Sequence, residues 1–148
     1  MNSILIDTNV ILYAYDEHDQ TRQTRALQVL QRLAETASGR LSVQGLAEFF
    51  SVAIRKLIPP LTPTEALDQV ELLTRTFPVF DLTPAIILEA ARGVRNHQLA
   101  YSDAQLWALA KLNQIPVAFR EDFRVGSSLE GIRFINPFAE KFKIEDWI

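Results

Sequence analysis

The chain has 148 residues, 48% hydrophobic and 22% charged, an ordinary balance for a globular protein that buries roughly 70% of its unfolded surface. It contains no cysteine, which excludes a disulfide framework and thiolate metal sites. A net charge of −3 and a pI near 5.4 exclude nucleic-acid binding by overall charge alone, so any such chemistry needs local basic patches or metal ions that offset the acids.

In chain order, Ser3–Asp7 reads as a short buried strand, because Ile4, Leu5 and Ile6 are consecutive rather than alternating. Asp7 breaks this apolar run, which also lacks a basic leader, so it does not read as a signal peptide. No stretch approaches the ~18 apolar residues of a membrane span, and the expected location is the cytoplasm. Val10, Leu12, Tyr13 and Tyr15 suggest a short first helix. A second runs from about Thr21 to Ala37, with Ser38-Gly39 as its stop.

A very short strand is expected around Leu41–Val43, leading into a helix from about Leu46 to Lys56. After a loop marked by Pro59, Pro60 and Pro63, Thr62 caps the next helix with Glu65 three residues on, and Thr83-Pro84 repeats the device. "PVFDL", "IPVAF" and the "GIRFINPF" segment between Gly131 and Pro137 read as further strands, with the helix "YSDAQLWALAKLNQ" among them. Strands alternating with helices predict an α/β fold, a three-layer α/β/α arrangement around a short central parallel sheet. No repeat or linker divides the chain, so residues 1–148 are read as one domain.

In such folds ligands bind outside the carboxyl ends of the strands, which draws attention to the acids there. Asp7 ends the first strand, with Thr8 and Asn9 behind it. All three are good helix caps, so the residue is either a cap or a ligand. Glu48 is the acid of "LAEFFSVAI", where Gln44, Glu48, Ser51 and Arg55 share a stripe that a solvated face would also explain. Asp103 follows Ser102, which with Gln105 has the form of a capping box. It nevertheless shares a helical face with Leu106, Trp107 and Ala110. Glu121 and Asp122 follow the strand "IPVAF". Three or four carboxylates converging on one sheet edge, without His or Cys, suit Mg²⁺ or Mn²⁺, and such a site supports phosphodiester hydrolysis.

With these motifs in view, the chain resembles the PIN-domain ribonucleases, and within them the VapC-like toxins. "DTN" after an apolar strand, the Glu of "LAEFF", "YSDAQLWALAK" and "IPVAFREDF" follow the family's order from "ILIDTNVIL" to "FINPF". The resemblance implies a PIN-like fold and metal-dependent cleavage of RNA. Asp7, Glu48 and Asp103 would bind the ion with Asp122 as the fourth acid, and Thr8 and Asn9 would be accessory. It also implies a small antitoxin partner and a homodimer. Where the family has Thr or Ser two residues before its last acid, this chain has Arg120. That leaves open whether Glu121 or Asp122 serves, and whether the guanidinium pairs with an acid or touches RNA phosphate.

Arg22, Arg25, Arg55, Lys56, Arg120 and Arg124 are candidate RNA contacts that a solvated surface would explain equally. Phe142 and Trp147 either pack on the domain or serve a partner. Other readings are an RNA-processing nuclease outside a toxin–antitoxin system and a PIN fold reduced to a binding module. A receiver-type signalling domain would need an acidic pair in its first loop and a late Lys closing a strand, which "IDTN" and "IPVAFRED" do not offer.

Overall fold

The computed structural model describes residues 2–123 and 127–148. Its strands are β1 (Ile4–Ile6), β2 (Gly39–Ser42), β3 (Val79–Phe80), β4 (Val117–Phe119), β5 (Ser128–Leu129) and β6 (Ile132–Ile135). Its helices are α1 (Thr8–Tyr13), α2 (Gln20–Glu35), α3 (Val43–Arg55), α4 (Pro63–Thr76), α5 (Pro84–His97) and α6 (Tyr101–Leu112), followed by a 3₁₀ turn at Ile144–Asp146. The strands lie in the order β3-β2-β1-β4-β6-β5. All neighbouring pairs are parallel except β5 with β6.

The consecutive apolar residues of the short strands have a direct cause, since both sheet faces are covered. Ile4, Ile6, Val117 and Phe119 pack with residues of α1, α2, α3 and α4, such as Val10, Val29, Phe49 and Leu73. Leu5, Ala118 and Phe134 face the other way, onto Ala90 of α5 and Ala104, Trp107 and Ala108 of α6. This is the expected three-layer α/β/α arrangement. The tail also packs on the first of these cores. Phe142 meets Phe119 edge-on at 5.4 Å, and Arg133 covers Trp147 at 5.0 Å. Among the described residues, no helix is long and apolar enough to cross a membrane.

Thr62 accepts from the Glu65 N–H at 3.1 Å while Glu65 accepts from the Thr62 N–H at 2.9 Å, a full capping box. Thr83 caps α5 through the Ile86 N–H at 3.3 Å. Three expectations need correction. Ser102 is not the cap of α6: the helix begins at Tyr101 with Ala100 at the cap position and no side-chain cap. Ser102 and Asp103 therefore lie inside the first turn, where the acid interacts favourably with the helix dipole. Nor does Gly39 close α2. The left-handed residue there is Ala37 (φ 54°), and Gly39 opens β2, where a Cβ would come within 2.6 Å of the Phe77 ring. Finally, α3 starts at Val43 rather than Leu46, because Ser42 caps it through the Gly45 N–H at 2.8 Å.

β5 was not expected. It pairs with β6 through a two-residue turn in which Glu130 and Gly131 both take positive φ (48° and 86°), the backbone that a tight hairpin requires. Glu130 is held by Arg92 Nη2 at 2.7 Å and Lys111 Nζ at 2.9 Å. Bonds from Arg92, Lys111 and His97 keep its carboxyl well below the usual glutamate range. The sign follows: a depressed acid adds stability above its unfolded value, lost as pH falls through the folded one. Glu130→Gln should therefore lower stability at pH 7 by roughly 1 kcal/mol, the scale of half-exposed ion pairs. The difference from wild type should shrink below about pH 4 in paired thermal melts.

Candidate active site

In the strand order, chain connections run outward from β1 in one direction through β2 and β3, and the other half begins beside it with β4. The carboxyl ends of β1 and β4 thus form the switch point where open α/β sheets bind ligands. Ile6 is in register with Phe119, and the Asp7 N–H donates to the Phe119 carbonyl at 3.1 Å. The next residues on the two strands, Asp7 and Arg120, are therefore neighbours.

Asp7 occupies the cap position of α1 without making a capping hydrogen bond. Its residue exposure is 8%, and burial is the main cause that raises its pKa above the ordinary aspartate value. The Arg120 charge and the Asn9 and Thr8 N–H groups oppose this shift, and Glu48 adds to it. Thr8 is also buried, and its hydroxyl donates to the Gly45 carbonyl at 3.5 Å, joining the start of α1 to α3. Asn9 is exposed.

Asp7, Thr8 and Arg120 line a cleft of about 60 Å³ with Ser42, Gln44, Gly45, Glu48, Ser102, Gln105, Leu106 and Leu109. Glu48 is exposed at its edge and accepts from Gln44 Nε2 at 3.4 Å. Asp103 is joined to the group through Arg120. Arg120 Nη1 donates to Asp7 Oδ1 at 2.9 Å, and Nε lies 2.7 Å from Asp103 Oδ1 as an ion pair whose angles fall outside those of a hydrogen bond. Of the two roles open to Arg120, the structure has it paired with acids.

The other acids go elsewhere. Glu121 receives Arg22 (Nη2 at 2.6 Å, Nε at 2.8 Å) and the Tyr13 hydroxyl at 3.1 Å. Asp122 is exposed, and neither it nor Glu121 lines the cleft. Among the described residues, no three acids are grouped closely enough to hold an ion as they stand.

The donors nonetheless fit a hard divalent cation in kind. They are carboxylate oxygens on three different elements. Gln44, on the cleft wall, adds a buried Oε1 with no hydrogen-bond partner among the described residues. Asp7 and Asp103 already share a positive charge between them. Ser42, Gly45 and Gln105 are cleft residues that sequence reasoning did not assign to the site. The Ser-x-x-Gly spacing of a cap was the available signal for the first two.

Of the basic candidates, Arg22 is taken up by Asp19 and Glu121. Arg25 clamps the tail by donating to the Pro137 carbonyl at 2.7 Å and the Ala139 carbonyl at 3.2 Å. Arg55 reaches Ser51 at 3.1 Å, and Lys56 is exposed. Arg124 lies outside the described residues.

A family model described as PIN domain matches residues 4–125. Among solved structures, the chain is similar to Mycobacterium tuberculosis VapC20, a toxin that cleaves the sarcin–ricin loop (TM-score 0.62, 20% identity, 81% of this chain and 92% of that one). It is also similar to a Klebsiella pneumoniae toxin–antitoxin complex (TM-score 0.64, 16% identity, 91% and 98%). A third similar structure is DNA-bound VapBC from Salmonella typhimurium (TM-score 0.63, 19% identity, 93% and 99%). At these identities the likeness is one of fold. No curated protein sequence matches the chain.

Proposed function

Because the chain belongs to the PIN-domain family, we propose that it is an endoribonuclease, hydrolysing RNA phosphodiester bonds at the acidic cleft with Mg²⁺ or Mn²⁺. What supports this reading is that Asp7, just after β1, and Glu48, on α3, line one cleft at the switch point between β1 and β4, and that Arg120 ties Asp103 of α6 to Asp7. Asp7, Glu48 and Asp103 would hold the ion. Asp122, exposed and outside the cleft, is assigned no contact with it. When bound, the ion lowers the pKa of its water and neutralises charge on the scissile phosphate.

The chain's own residues set the stage for that chemistry. Asp7 is a buried residue of the cleft lining, and low dielectric there strengthens its attraction for a cation. The Thr8–Gly45 contact keeps α1 and α3, and so Asp7 and Glu48, in fixed relation. Asp103, in the first turn of α6, enters from the opposite sheet face.

A toxin role is supported by the toxins and toxin–antitoxin complexes among the similar structures. The partner would be a small antitoxin encoded beside the gene, and the chain would pair with itself. The test is cleavage of a defined RNA: Mg²⁺ or Mn²⁺ should support it and EDTA should stop it. Undiminished cleavage in EDTA would sink the metal-dependent mechanism. Absence of cleavage under all conditions would favour a binding module whose acids are neutralised by Arg120.

A further inference from the structure

Arg120 is the feature of the cleft that the proposed chemistry does not use. Its backbone is fixed from both sides: Asp7 bonds the carbonyl of Phe119, and the Arg120 N–H donates to the Ile135 carbonyl at 2.9 Å. Its side chain, 16% exposed, lies between the two aspartates, with contacts of 2.9 Å to Asp7 and 2.7 Å to Asp103. These are the two most enclosed carboxylates of the site, and a cation that joins them stands where a divalent ion would have to bind both. The bridge is of a kind that can be exchanged, because Nε pairs with Asp103 without hydrogen-bond alignment and has no other partner among the described residues.

We propose that Arg120 is a tethered competitor for the divalent ion. Its guanidinium neutralises Asp7 and Asp103 in the metal-free protein and must leave them when the ion enters. The carboxylate pair is thereby kept from repelling itself without metal, and the chain's metal affinity is set by displacement of its own side chain rather than by binding to open ligands. This inference rests on the reading of Asp7 and Asp103 as metal ligands.

The experiment is calorimetric titration of Mn²⁺ into the full chain and its variants. Arg120→Gln removes the competing charge and should bind Mn²⁺ about ten-fold or more tightly than wild type. The scale is that of one unit charge ~4–6 Å from a carboxylate, which alters proton affinity by ~1–3 pKa units. Arg120→Lys keeps the charge and should stay near wild type. Arg120→Gln should also melt lower than wild type without metal and recover more on adding Mn²⁺.

A second measurement does not depend on a variant folding. In wild-type protein, the Arg120 Nε–H resonance should shift as Mg²⁺ is added and saturate with binding. If wild type binds Mn²⁺, Arg120→Gln binds no more tightly and the Nε–H resonance stays in place, this inference is overturned while the metal reading stands. If neither protein binds Mn²⁺, both are overturned.

Discussion

Asp7→Asn should reduce RNA cleavage by roughly 10²–10⁴-fold while leaving the metal-free protein at least as stable as wild type. A metal that lowers a hydrolytic barrier contributes several kcal/mol, and each ~1.4 kcal/mol is tenfold in rate, so a mispositioned ion accounts for losses on this scale. Asn has nearly the shape of Asp and caps a helix about as well, so α1 loses nothing locally. What changes is charge. The Asp7 pKa is raised, chiefly by burial and despite the Arg120 guanidinium, so its ionised form disfavours the folded state.

The sign follows from proton linkage. A buried acid with a raised pKa holds its proton in the folded state after the unfolded chain has lost it. Stability therefore falls as pH rises from the unfolded value of about 4 to the folded one, and the full penalty is present above the folded value. The stabilising effect of Asp7→Asn should grow as pH rises above about 4 and vanish below it. Arg120 keeps its pair with Asp103 in the variant, so no buried cation is stranded. Paired melts across that range, with cleavage assays at pH 7, check both halves. Near-wild-type cleavage would mean that Asp7 is only a cap.

Trp107→Ala should cost ~3–5 kcal/mol, the usual range for removing a buried aromatic. At about 2–4 °C per kcal/mol for a chain of this size, that is a fall in Tm of roughly 6–20 °C. Trp107 is fully buried in the α5–α6 core. Its indole N–H donates to the Leu129 carbonyl at 3.1 Å, which the variant would leave without that donor. Arg92 and Lys111 lie 5.6 and 5.2 Å from the ring. The fit to α5 is close enough that a Cβ on Gly93 would come within 2.7 Å of the indole, so α5 approaches the ring to its limit. Trp107 also sits one turn beyond Asp103 on α6, so loosening the helix should weaken the Asp103–Arg120 pair. Urea unfolding at unchanged m-value would measure the loss, and a cost under about 1 kcal/mol would contradict this role for the packing.

The parts of the molecule that were legible in the sequence have local causes. The buried strands announced themselves because Ile4, Leu5 and Ile6 need cover on both faces, and Thr62-Pro63 and Thr83-Pro84 carry their caps in sequence. Ser102 had the same local signature, yet the helix started two residues earlier than that cap would have it, at Tyr101. Tertiary packing of α6 against α5 outweighs a cap of about 1 kcal/mol. β5 escaped because two residues carry no periodicity, and its pairing depends on the turn at Glu130-Gly131.

At the site, the alternation of strands and helices led to the expectation of Asp7, Glu48, Asp103 and Asp122 on one sheet edge. Asp7 and Glu48 line the cleft, Asp103 is reached through Arg120, and Asp122 lies outside it. The bridge made by Arg120 was not legible in that alternation. It depends on β1 lying beside β4 with Ile6 opposite Phe119, a pairing between segments more than a hundred residues apart. The fate of Glu121 was equally hidden, since Tyr13 and Arg22 draw it away through contacts that only the folded chain creates.

The central claim is that the cleft between β1 and β4 is a divalent-metal site. A crystal of the protein soaked in Mn²⁺ and measured for anomalous scattering tests it most directly. An anomalous peak bonded to Asp7 and Asp103 oxygens, with Arg120 swung off both, is the predicted result. An empty cleft at saturating Mn²⁺, with Arg120 still joining the two aspartates, would contradict it.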